Sequence, residues 1–157
     1  METMTKKLTN ELNKLVEINN DRVKGYETAM KETEYSDLKD LFREMAVHSS
    51  NFINELTDEL IRLGEEPTEG TKLTGKLYRR WMDMRAAMTT SGRKAVLSSC
   101  EFGEDAAQEV YDEVLKTEMV IPEKIKSLVL TQKQKLREDH DKIKKQRDLA
   151  REEYVNN

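Results

Sequence analysis

The chain has 157 residues, with 27 Lys and Arg against 31 Asp and Glu for a net charge of −4, and a single cysteine. That balance supplies no basic field for nucleic acid, and one cysteine cannot build a disulfide framework within the chain. No apolar stretch has the length of a signal-peptide core or a membrane span, so the expectation is a soluble cytoplasmic protein without membrane partners.

Charged residues make up 37% of the chain and hydrophobic residues 36%, with two prolines and six glycines, a mixture suited to helices that carry one apolar stripe and solvated remaining faces. Apolar residues recur at helical spacing over residues 6–34, 37–63, 93–118 and 122–153, which predicts four long helices. Ser36 is the expected N-cap of the second, and Gly64 the expected left-handed residue after its end. Pro122 suits the first turn of the fourth helix, so the third and fourth form a tight hairpin. Between the two hairpins, the Gly-Pro-Thr stretch GEEPTEGTKLTG precedes an aromatic and methionine-bearing segment that predicts a short helix over 73–88. Trp81, Met82, Met84 and Met88 are read there as packing that segment on the bundle.

Residues 1–157 therefore form one all-α domain, a four-helix bundle. A bundle of this kind is about 39 Å long at about 1.5 Å per residue. The long central connection can cover that distance and leave the second and third helices parallel, the one-crossover arrangement; an up-down-up-down bundle would need far less chain.

Several phrases carry a resemblance: NNDRVKGYETA at 19–29, RLGEEPTEG at 62–70, YRRWMDMRAAM at 78–88, CEFGEDAA at 100–107 and HDKI at 140–143. Over nearly its whole length the chain resembles the ferritin-like superfamily, and more narrowly a bacterial ferritin-like family of unknown function. The resemblance implies the two-hairpin fold and a suspicion of metal chemistry, without any settled activity. A ferritin-like di-iron centre takes one Glu from each of two helices and a Glu-x-x-His from each of the others. This chain departs from it, with Met45 three residues before His48 and Arg137 three before His140.

On helical wheels at about 100° per residue, Glu27, His48, Glu104 and His140 fall within about 50–80° of their stripe centres, with Glu44 and Glu101 further out at about 110°. In the crossover topology the first four also lie within roughly one turn of the same depth. Two imidazoles and two carboxylates could then hold one divalent metal such as iron, zinc or manganese, with Glu44 and Glu101 as second-tier ligands. The competing reading places the same residues at the rim of the core, bonded to water and neighbouring cations, with Arg137 available to neutralise Glu101 or Glu104. Tyr26 and Tyr111 are read as core residues with rim hydroxyls. Cys100 falls on a stripe with Val96, Gly103 and Ala107 as a buried thiol, and Gly103 would admit a close neighbour.

No histidine accompanies Cys100 in sequence, and no glycine-rich phosphate loop or glycine-flanked nucleophile is present, so no catalytic residue is expected. The run Lys142, Lys144, Lys145 and Arg147 is read as a solvated face. The fourth helix runs past the start of the third, and its protruding end predicts a small homo-oligomer, a dimer.

Overall fold

The computed structural model describes residues 3–68 and 92–156, and all regular structure within them is helical. The helices are α1 (Met4–Glu32), α2 (Ser36–Arg62), α3 (Arg93–Leu115) and α4 (Glu123–Asn156). The helix expected over 73–88, with Trp81, lies outside the described residues.

Local chemistry sets the ends. Thr3 caps α1, its Oγ1 accepting from the Lys6 amide at 3.1 Å. The turn into α2 differs from expectation: Ser36 is already helical, Tyr35 takes the N-cap position without a side-chain cap, and the Tyr35 amide bonds Thr33 Oγ1 at 3.3 Å. At the far end of α2, Gly64 has φ +78, the Glu65 amide bonds the Leu60 carbonyl and the Gly64 amide the Ile61 carbonyl. This pair of bonds is a Schellman closure, and it needs the left-handed residue that glycine supplies. Pro122 stands one residue before α4, its carbonyl accepting from the Lys126 amide at 2.9 Å.

Helix directions follow from contacts at the two ends. The Arg93 guanidinium, at the start of α3, grips Asp37 at the start of α2, lies 5.5 Å from the Tyr35 ring centroid and reaches Gln146 near the end of α4. At the opposite end Glu59 of α2 faces Lys124 at the start of α4 at 3.7 Å. α2 and α3 therefore start at one end and run parallel, so Arg62 and Arg93 lie at opposite ends of the bundle. α1 packs on α2 and on α3, α3 packs on α4, and α2 and α4 approach each other more sparsely.

The core is divided. One apolar cluster gathers Leu12, Leu15, Leu56, Leu60, Val114 and Val129; the other gathers Phe42, Met45, Leu97, Cys100 and Ile143. Between them the four helices contribute buried polar residues, Asn19, Arg22, Ser49, Glu104, Gln132 and Asp139. That layer is the chemical feature the fold positions.

Candidate functional site

Arg22 is the centre of the layer. Its side chain is 4% exposed, those of Glu104 and Asp139 0% and 3%. Nε and one terminal nitrogen donate to Glu104 Oε1 at 2.8 and 2.7 Å, and that nitrogen also reaches Asp139 Oδ2 at 2.9 Å. The other terminal nitrogen donates to Ser49 Oγ at 2.8 Å. A guanidinium fork suits this task, because it offers five donors in one plane and stays protonated.

The bonding continues on both sides. Tyr26 donates its hydroxyl to Glu104 Oε1. Ser49 donates to Asn19 Oδ1 at 2.9 Å, Asn19 to the Tyr111 hydroxyl at 2.8 Å, and Tyr111 to Gln132 Oε1 at 2.7 Å. Gln132 closes the series on the Phe52 carbonyl at 3.3 Å. At the other edge His48 Nδ1 lies 2.8 Å from Asp139 Oδ2, its side chain 17% exposed. One run of bonds thus links all four helices, which is how buried polar groups avoid their desolvation cost. Glu104 Oε2 is the exception, buried with no hydrogen-bond partner among the described residues.

Electrostatics follow from this packing. Burial alone would lower the Arg22 pKa, but the charges of Glu104 and Asp139 outweigh it and the net direction is upward. Burial first, then the Glu104 charge, raises the Tyr26 hydroxyl and the Cys100 thiol above their ordinary ranges. Burial likewise raises Tyr111. Burial thus favours the neutral thiol of Cys100 over its thiolate.

The four residues singled out in the sequence are not brought together. Glu104 is in the layer and His48 at its edge. Glu27 is exposed and lines an outer groove with Lys24 and Asn54. His140 lies on the α3–α4 seam, 2.9 Å from Asp105 Oδ1 and 3.7 Å from Glu101 Oε1. Of the second tier, Glu44 bonds Lys142 at 2.8 Å, which lowers its pKa, while Glu101 is paired with Arg147. The physical reason is rotation: Asp139, one residue and about 100° away from His140, takes the inward position.

Other expectations change with the same rotation. Arg137 is exposed, and Arg22 and Arg147 neutralise the acids assigned to it. The Tyr26 and Tyr111 hydroxyls point into the layer instead of the rim. Gly103 is exposed, and a Cβ there would meet nothing within 4 Å, so it serves no close approach.

The sequence did carry a signal for the residues missed. On α4, Ile125, Val129, Gln132, Leu136, Asp139 and Ile143 are all buried and alternate spacings of four and three. On α1 the buried series Leu15, Ile18, Arg22, Tyr26 and Ala29 is likewise built of spacings of three and four. Polar residues that replace apolar ones at stripe positions mark the interior network, while polar residues beside a stripe mark its rim.

Helix order, the parallel course of α2 and α3 and a charged layer define an all-α four-helix bundle with an ion-paired interior. A family model matches residues 7–117, and the chain belongs to that family, described as a domain of unknown function (DUF2383). The matched stretch takes in Arg22, His48 and Glu104 and stops before α4. No match was found among curated proteins. Among the described residues no helix is long and apolar enough to cross a membrane.

Proposed function

We propose that the chain is a ferritin-like bundle acting as a non-catalytic structural or interaction module, with Arg22 occupying the interior position where a ferritin-like protein would hold metal. The parallel course of α2 and α3 supports the ferritin-like reading, as do the phrases that resemble that superfamily. The observation that carries the functional half is the set of bonds made by Arg22: Glu104 Oε1 and Asp139 Oδ2 both point at its guanidinium.

A divalent ion bound to those carboxylates would sit about 4 Å from a permanent positive charge. Their repulsion would be about 8 kcal/mol even at an effective dielectric of about 20, enough to cancel most of what a few ligands supply. Iron(II) added to the aerobic protein should therefore oxidise no faster than in buffer, followed by the ferric absorbance. Saturable oxidation that disappears in Glu104→Gln would overturn the reading.

The module is further proposed to form a small homo-oligomer, a dimer, through α4. That helix has 34 residues against 23 in α3, about 50 Å against about 35 Å, and its outer face presents Leu130 at 47% and Leu149 at 43% exposure. Light scattering at high micromolar concentration should give twice the chain mass; a strict monomer would refute it.

A further inference from the structure

We propose that Glu101, Asp105 and His140 form a divalent-cation site on the α3–α4 seam, with zinc the best-fitting ion. This site is separate from the Arg22 layer and does not depend on how that layer is read. Glu101 and Asp105 are one turn apart on α3, and His140 reaches them from α4. Each of the three offers a ligand atom, and these atoms all lie within 4.8 Å of one another.

The spacing agrees with tetrahedral coordination. Bonds of about 2.0–2.2 Å at tetrahedral angles separate adjacent ligand atoms by about 3.4 Å. The observed separations from His140 Nε2, 2.9 Å to Asp105 and 3.7 Å to Glu101, bracket that value, and the two carboxylates offer oxygens within 4.8 Å of each other. One imidazole and two carboxylates, each used through a single atom, are a donor set for zinc, and the 62% exposure of Asp105 leaves room for water as the fourth ligand.

The atoms behind the ligands provide a separate reason. His140 Nδ1 faces Asp141 Oδ1 at 3.3 Å, the carboxylate–imidazole pairing that directs Nε2 at a metal. Arg147 binds the other oxygen of Glu101, Oε2, and fixes that carboxylate with Oε1 toward His140. Arg147 also bonds Asp148 at 3.0 Å, and its side chain is 21% exposed against 4% for Arg22, so solvent screens its charge from an ion on Oε1. Glu101 and His140 are only 15% and 18% exposed, so packing in the seam holds two of the three ligands before any ion arrives.

The test is calorimetric titration of zinc chloride into the untagged full chain near neutral pH. One equivalent should bind at micromolar levels, and the affinity should fall in acid, where a protonated imidazole cannot ligate. Asp105→Asn and His140→Ala should each weaken binding at least about a hundredfold, and Asp141→Asn about tenfold through the lost support of His140. His48→Ala should leave it unchanged. The exposed Asp105→Asn variant keeps the fold, which separates loss of a ligand from loss of structure. Absence of binding to the wild-type chain, binding that survives both ligand substitutions, or binding that depends on His48 would each overturn the proposal.

Discussion

Two groups in this molecule have the same composition and different fates. The interior group is Glu104, Asp139, His48 and Arg22; the seam group is Glu101, Asp105, His140 and Arg147. In the interior, water is excluded and the arginine lies between both carboxylates, because an unpaired buried charge is too costly to leave. On the seam the arginine engages one oxygen of Glu101 and neither Asp105 nor His140, and solvent screens the rest. Residue types alone therefore do not say whether such a set locks a core or receives a cation. The position of the guanidinium decides it.

The comparison breaks most visibly at the two arginines. Arg22→Met should cost about 3–5 kcal/mol in denaturant unfolding, since it strands two buried carboxylates. Arg147→Met should cost less than about 1 kcal/mol, as expected for a group in contact with water. Equal losses would remove the distinction between the two groups. Tyr111→Phe should cost about 1–3 kcal/mol, because Gln132 loses its donor and the Asn19 amide its acceptor inside the core. A loss below about 0.5 kcal/mol would show the bonding run to be incidental.

Alkali sharpens the same contrast. Cys100, Tyr26 and Tyr111 all have folded pKa values above their ordinary ones, chiefly through burial, so the unfolded chain releases protons first. Their contribution is complete below the ordinary thiol and phenol range and declines as pH rises above it, by about 1.4 kcal/mol per pH unit for each group in that window. Stability that stayed flat from pH about 8 to about 11 would contradict their burial. The smallest effect is expected on the seam: Asp105→Asn should change metal-free stability by less than about 0.5 kcal/mol.

Much of the fold was legible because the apolar rhythm, Gly64 and Pro122 are local signals. The length of the α2–α3 connection pointed to the crossover, and the Arg93–Asp37 pair accords with it. The inward turn of Glu104 and His48 was also legible, from their flank positions. Glu27 and His140 were misplaced because a wheel drawn from apolar residues alone omits polar stripe members. Counting Arg22, Gln132 and Asp139 as part of their stripes shifts each centre toward the positions observed. Partner identity was beyond reach for a different reason: Arg22 could have paired with any of several acids, and only three-dimensional packing selects Glu104 and Asp139.

Arg22 and Glu104 form one interior ion pair, and a double-mutant cycle measures its strength. Urea unfolding of the wild-type chain, Arg22→Met, Glu104→Leu and the double variant gives their coupling energy. The account predicts coupling of at least about 2 kcal/mol, with the double variant more stable than the sum of the single losses implies, because the second substitution removes a charge that the first left buried. Additivity within about 0.5 kcal/mol would contradict it.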